Sequence, residues 1–250
     1  MKAILTDITK CIGCLECVVA CKAENQLKQD VPREFHRMDG LSARNWTSIV
    51  ERDSHYVRKQ CRHCLDPACV SACPVAALVK TDTGPVIYDA SKCIGCRYCM
   101  IACPYGIPRY DWDEAVPYIQ KCDMCFDRLE RGQQPACTAA CPEKATIFGD
   151  RDELLVEAHH RIKTGNGKYI DKVWGEHDCG GTSVLYISDI DLGFLTYPKR
   201  NLQVSLPQTT APAMNAVPPA FVGMGALMGG LYWFFRRRER IQREQHKEDK

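Results

Sequence analysis

The sequence predicts an α+β protein in which short strands and helices gather around clustered cysteines, followed by one C-terminal membrane-spanning helix. Three observations carry that expectation. Of 250 residues 17 are cysteine, and 16 of these fall into four groups of four. Apolar runs between the groups are short, so residues 1–150 have little from which to build a large hydrophobic core. Near the end, "AVPPAFVGMGALMGGLYWFF" (216–235) is uncharged over about 20 residues, the length that crosses a bilayer.

Composition narrows the class. Hydrophobic residues at 45% and charged residues at 26% are ordinary for a folded chain, and 250 residues hold one large or two small domains. The net charge of +2 is unevenly placed. Residues 236–250, "RRRERIQREQHKEDK", carry 7 Lys/Arg against 4 Asp/Glu, which leaves 26 against 27 for the rest. A near-neutral body lacks the basic face that meets phosphates, so nucleic acid is not an expected partner.

The first cysteine group is Cys11, Cys14, Cys17 and Cys21, spaced C-x2-C-x2-C-x3-C. The second is Cys61, Cys64, Cys69 and Cys73, with a middle gap of x4 and Pro74 following. Cys93, Cys96, Cys99 and Cys103 repeat the first spacing and are followed by Pro104. The fourth group is Cys122, Cys125, Cys137 and Cys141, with an x11 gap and Pro142. Cysteines three apart on a short loop turn their sulfurs toward a common centre, whereas disulfide partners are usually distant in sequence, so a disulfide framework is set aside. All-cysteine zinc sites draw on two separated C-x2-C pairs and have no use for an x2-x2-x3-C-P run. Three thiolates at i, i+3 and i+6 instead cap three iron corners of one [4Fe–4S] cube, and Gly13 and Gly95 let the loop close with backbone N–H groups facing sulfur. In two-cluster bacterial ferredoxins the fourth Cys of such a run ligates the neighbouring cluster. Four groups therefore predict four clusters in tandem bacterial-ferredoxin-like [4Fe–4S] domains. Spacing alone leaves open whether group one pairs with group two or with group four.

The succession "CIGCLECVVAC", "CRHCLDPACVSACP", "CIGCRYCMIACPYGIPRYDWD" and "KCDMCFDRLERGQQPACTAACP" resembles the four-cluster iron–sulfur subunit of complex iron–sulfur molybdoenzymes, closely over residues 3–150. The later "GEHDCGGTSVLYIS" and the single hydrophobic tail are most similar to the membrane-bound formate dehydrogenase and hydrogenase branches. The resemblance implies that group one pairs with four and group two with three. One cluster would then use Cys11, Cys14, Cys17 and Cys141, and a second Cys122, Cys125, Cys137 and Cys21. A third would use Cys61, Cys64, Cys69 and Cys103, and a fourth Cys93, Cys96, Cys99 and Cys73. All sixteen are Cys, so four [4Fe–4S] clusters are expected, without the [3Fe–4S] substitution of nitrate reductase-type subunits. The resemblance further implies an electron wire between a catalytic molybdopterin (Mo or W) subunit and a membrane cytochrome b or quinone-binding subunit.

Between the groups, residues 45–50, 55–60 and 84–89 read as short strands, and 152–163 as a helix with Leu154, Leu155 and Ala158 on one side. Residues 169–175 and 183–188 would form a hairpin around Gly180 and Gly181. His159 and His160, adjacent on a helix, face apart and do not chelate together. His63 is expected to tune a cluster by hydrogen bonding, Cys179 to be a buried inert thiol, and the Asn45 glycosylation pattern to be fortuitous. No Ser/His/Asp constellation, P-loop or dinucleotide fingerprint is present, so the chain is expected to have no active site of its own.

The resulting organisation is a four-cluster domain (1–150), a helix and hairpin extension (151–200), a linker (201–215), the membrane span (216–235) and a basic tail (236–250). Tyr232 and Trp233 sit at an interfacial belt, Arg236, Arg237, Arg238 and Arg240 follow at once, and the opposite flank from Asn201 to Val217 is uncharged. This asymmetry predicts a bacterial inner-membrane protein with its C-terminus cytoplasmic and its cluster domain periplasmic. Gly225 and Gly229 form a small-xxx-small pair suited either to a partner's helix or to lipid. "MKAILTDITK" shows no leader pattern, which with the resemblance predicts export already folded beside a twin-arginine-bearing partner. Two other readings remain: the iron–sulfur subunit of a nickel–iron hydrogenase, and a stand-alone anchored polyferredoxin.

Overall fold

The computed structural model describes residues 1–28, 39–112, 118–195 and 203–248, in two units, Met1–Pro207 and Gln208–Lys250. Parts of the expected cluster domain (29–38, 113–117), of the extension (196–200), of the linker (201–202) and of the tail (249–250) lie outside the described residues.

In chain order the elements are β1 (Lys2–Asp7), α1 (Glu16–Glu24), β2 (Ser48–Arg52), β3 (His55–Lys59), α2 (Ala68–Ser71), β4 (Leu78–Lys80), β5 (Val86–Tyr88) and α3 (Tyr98–Ala102). They continue with β6 (Arg109–Tyr110), β7 (Ile119–Gln120), α4 (Phe126–Glu130), α5 (Ala136–Ala139), β8 (Thr146–Asp150), α6 (Arg151–Thr164), β9 (Val184–Ile187) and α7 (Leu206–Glu248). The α+β class is as expected, but the largest sheet is one that local pattern does not reveal.

That sheet has the order β8-β1-β9. β1 is its centre, antiparallel to β8 from Lys2↔Asp150 to Thr6↔Thr146 and parallel to β9 from Ile4↔Val184 to Asp7↔Ile187. Alternation explains why both of its faces are covered. Ala3 and Leu5 pack with Leu154 and Ala158 of α6 and with Leu185 and Ile187, while Ile4 joins Trp174, Val184 and Tyr186 on the other face. The hairpin expected of residues 169–188 is reduced to one antiparallel bridge, Trp174↔Tyr186, and the main partner of β9 is β1.

Around this sheet lie three two-stranded pairs, β2-β3, β4-β5 and β6-β7. The β2-β3 turn is two residues, Asp53 (φ 49) and Ser54 (φ 63), the left-handed pair of a tight hairpin. It holds Arg58 opposite Ile49. α6 matches its expected extent, with Asp152 and Glu153 in the first turn and Arg161 and Lys163 in the last, each sign opposing the helix dipole.

The C-terminal unit is almost wholly α7. At about 1.5 Å per residue its 43 residues exceed a bilayer's roughly 30 Å core by a factor of two. It begins at Leu206, inside the stretch read as a linker, and runs on through the arginines. Pro212, Pro218 and Pro219 lie within it, a tolerance seen in helices long enough to span a membrane. Leu206–Arg243 is the one described helix long and apolar enough to cross a bilayer. Arg236 and Arg237 lie over the Tyr232 and Trp233 rings at 5.5 and 5.3 Å.

Candidate metal centre

The two near copies, "DITKCIGC" and "DASKCIGC", fold alike. Asp7 and Asp89 each cap a one-turn 3-10 helix by accepting the backbone N–H of Thr9 and Ser91. The cysteine loop follows, with Gly13 (φ 69) and Gly95 (φ 70) in the left-handed region. Leu15 (φ 64) and Arg97 (φ 66) then turn left-handed again to start α1 and α3. In each loop the third cysteine, Cys17 or Cys99, lies in the first turn of the helix, and the fourth follows a turn later, Cys21 within α1 and Cys103 capping α3. Gly13 is also packed: a Cβ there would lie 2.8 Å from the Tyr56 ring.

Tight loops turn N–H groups onto sulfur, as the glycines suggested. Gly95 donates to Cys93 Sγ at 3.4 Å, Met124 to Cys122 Sγ at 3.3 Å and Ala77 to Cys73 Sγ at 3.2 Å. At Cys73 burial raises the thiol, but backbone donors from Leu78, Val75, Ala77 and Ala76 outweigh it and hold the group below its ordinary range.

The thiols influence one another across the chain. Burial, then neighbouring thiols, raises most of them: Cys17 to about 12, Cys69 to about 12, Cys125 to about 12 and Cys103 to about 11. The neighbours are informative. Cys11 is acted on by Cys14 and by Cys141, and Cys17 by Cys11 and Cys14. Cys21 is acted on by Cys137 and Cys125, and Cys122 by Cys21. Cys64 and Cys69 each respond to Cys61 and to Cys103. Cys99 responds to Cys96, Cys93 and Cys73. In four of these neighbourhoods the fourth cysteine of one group and cysteines from the first three of another lie within electrostatic reach.

Electrostatic influence also runs between these neighbourhoods, from Cys137 to Cys17, from Cys61 to Cys122 and from Cys99 to Cys69. All 17 cysteines are free thiols, so no disulfide competes for them. Among the described residues no three His, Cys, Asp or Glu side chains are grouped as a single-ion site. All-thiol sets with backbone donors aimed at sulfur fit an iron–sulfur cube.

Several groups that sequence reasoning did not single out stand against these thiols. Arg58 of β3 is buried, and its charge acts on Cys11, Cys17 and Cys21. Lys121 is buried, with its ammonium donating to the carbonyls of Val86 and Cys122. The Tyr110 hydroxyl meets the Cys99 thiol. Hydrophobic strand pattern gave no sign of them: in "HYVRKQ" an arginine between exposed-looking neighbours reads as surface.

His63 lies fully buried in the left-handed region (φ 47), and its Nδ1 accepts the Val86 N–H at 2.9 Å, so the proton is on Nε2. Burial, then Lys121 and Lys80, keeps it well below its ordinary pKa and neutral. Among the described residues Nε2 has no hydrogen-bond partner. His159 and His160 are exposed, the former paired with Glu176. Cys179 is buried, raised by desolvation, and set against the Tyr105 hydroxyl. Asn45 is buried, with its amide donating to the Gly40 carbonyl.

Residues 52–151 match the model of the 4Fe-4S dicluster domain family. A protein of Nitratidesulfovibrio vulgaris is 39% identical over 98% of this chain and 70% of its own length. The "Hydrogenase-2 operon protein HybA" of Escherichia coli O157:H7 is 38% identical over 78% of this chain and 72% of its own. The "Formate dehydrogenase, nitrate-inducible, iron-sulfur subunit" of Escherichia coli K12 is 37% identical over 74% and 67%. With its cysteine loops and this degree of identity to both branches, the chain belongs to the iron–sulfur electron-transfer subunits of formate dehydrogenase and hydrogenase-type complexes.

Proposed function

We propose that the chain carries electrons through four [4Fe–4S] clusters, between a catalytic molybdopterin (Mo or W) subunit of formate dehydrogenase type and a membrane cytochrome b or quinone-reactive subunit. The observation that supports this reading is the electrostatic influence between each fourth cysteine and the first three of another group: Cys141 on Cys11, Cys125 on Cys21, Cys103 on Cys64 and Cys73 on Cys99. The ligand sets would be Cys11, Cys14, Cys17 and Cys141; Cys122, Cys125, Cys137 and Cys21; Cys61, Cys64, Cys69 and Cys103; and Cys93, Cys96, Cys99 and Cys73. A bound [4Fe–4S] cluster takes up and releases single electrons. The chain's part is to hold the four sets in series and to supply donors to sulfur from Ala77, Gly95, Met124 and the His63 Nε2–H. α7 anchors the body to the inner membrane, its arginines cytoplasmic and the cluster domain periplasmic.

A hydrogenase-type catalytic partner is a second reading, favoured by the longer match to the hydrogenase-2 operon protein, 78% of this chain against 74%. Purification of the native complex in mild detergent distinguishes the two by which catalytic subunit copurifies. The ligand reading is tested by iron and sulfide content, expected at about sixteen of each per chain, and by Cys103→Ser. That change should perturb the signal of the cluster capped by Cys61, Cys64 and Cys69. A Cys103→Ser spectrum altered only at the cluster of Cys93, Cys96 and Cys99 would overturn the exchange of fourth ligands.

A further inference from the structure

Arg58 is the largest of the fully buried side chains, only 2% exposed. Among the described residues none of its three guanidinium nitrogens has an oxygen or nitrogen acceptor, and the one side chain that acts on it as a hydrogen-bond partner is the Cys137 thiol. An isolated buried cation costs several kcal/mol, so its opposite charge must come from something that this side chain faces. What it faces is thiol. It lines a small cavity with Cys11, Cys14, Cys17 and Cys141, and of the thiols around it Cys137 and then Cys17 act on its charge most strongly. It therefore stands where the first set and the second set meet, the junction marked by Cys17 and Cys137.

The other buried cations are already occupied. The half-buried Lys80, too, donates to the carbonyls of His63 and Gly84 and to Ser183 Oγ. Lys121 donates to two carbonyls, and Arg62 stacks 4.0 Å from the Tyr186 ring centre. Lys22 donates to the carbonyls of Lys28 and Arg44. An arginine also suits a two-sided position, since its planar fork of five N–H donors serves acceptors on different edges.

We propose that Arg58 is a tuning residue shared by the first two clusters, donating to both thiolate sets and holding their reduction potentials above the values they would have without it. This inference rests on the four-cluster reading. Physically, a cube held by four thiolates is anionic, and reduction adds one more negative charge. A fixed positive charge in a buried, low-dielectric site favours the reduced form and so raises the potential.

The test uses the intact detergent-purified complex with Arg58→Gln and Arg58→Lys, read by iron content and by redox titration followed with electron paramagnetic resonance. In Arg58→Gln, two of the four midpoints should fall by at least the equivalent of a tenfold change in the one-electron equilibrium, about 59 mV each. The other two should stay in place, and Arg58→Lys should retain most of the wild-type values. Comparison with Cys14→Ser, which alters the first set alone, identifies a member of the moving pair. Four unmoved midpoints, or four that move together, would overturn the proposal. If Arg58→Gln fails to load clusters, Arg58→Lys decides. Full iron with near wild-type midpoints in the lysine variant supports a need for the charge, and equal loss in both variants makes Arg58 a packing residue and sinks the idea. A wild-type complex without four clusters would instead refute the underlying reading, and iron analysis shows this separately.

Discussion

Two sides of the same unit are held together in different ways. On the sheet side, Ala3, Leu5, Leu154, Ala158, Val173, Leu185 and Ile187 form a cluster with no sulfur and no charge in it. On the cysteine side, the buried clusters mix ligand candidates with apolar residues: Cys61 and Cys122 with Tyr105 and Ile107, or Cys99 with Leu78, Val86 and Tyr110. Apart from the nine-residue α1 (Glu16–Glu24), the elements there are two to five residues long, from β6 (Arg109–Tyr110) to α3 (Tyr98–Ala102), and bury too little to fold by themselves. One side is stabilised by removing apolar surface from water, the other by bonds that its thiols make to metal. Their stabilities should therefore respond to different perturbations.

Iron removal is the harshest way to test this contrast. Chelation under reducing conditions should abolish amide-exchange protection across β2 to α5, because ligation free energy is there the folding free energy. The β8-β1-β9 amides should be the last to exchange. A compact, cooperatively melting apo-protein in circular dichroism, protected equally on both sides, would erase the distinction. The reciprocal change is Leu185→Ala, at a residue 0% exposed in the middle of β9. It should cost about 3 kcal/mol in unfolding free energy with the cluster signals unchanged. Loss of iron in that variant would show that the sheet also scaffolds the ligands.

The same division explains what was legible in the sequence. The cysteine groups were legible because ligand spacing is local: a loop three residues long fixes where its sulfurs point. The β2-β3 hairpin, β5 and α6 were legible because alternation and helical period are also local. The central strand was not, although "KAILTD" alternates, because its value lies in partners far along the chain, β8 at 146 and β9 at 184. Strand β9 was found but matched to the wrong main partner, its nearest neighbour in sequence. Arg58 was hidden for another reason. A buried charge is recognisable only when its surroundings are known, and those come from four separate cysteines.

A smaller effect tests how closely the sheet side is packed at its rim. Gly175 has φ 92, and a Cβ there would lie 2.4 Å from Thr182 Oγ1 and 2.7 Å from the Val184 carbonyl. Gly175→Ala should cost about 1–3 kcal/mol, from left-handed strain together with displacement of the β9 backbone. Thermal melts of the loaded protein give the number. A neutral result would mean that the turn before β9 can move without disturbing the sheet.

The smallest expected effect lies at a contact that joins the two sides. His55, at the start of β3, holds Asp189 just after β9 with Nε2 to Oδ2 at 2.9 Å, while its Nδ1 faces the Asp53 carbonyl at 2.8 Å. The Asp53 carbonyl is the main cause raising its pKa above the ordinary 6.5, burial opposes it, and Asp189 adds to the rise. A raised folded pKa means that the imidazolium contributes stability in full below the unfolded value, and that this contribution is lost as pH climbs through the folded value. The pair is partly exposed, so after solvent screening it should be worth about 0.5 kcal/mol. Asp189→Asn should therefore lower the melting temperature slightly near pH 5.5 and leave it unchanged near pH 8.5, where His55 is neutral in both proteins. An equal loss at both pH values would mean that Asp189 acts through its local turn, leaving the two sides without an electrostatic tie at this point.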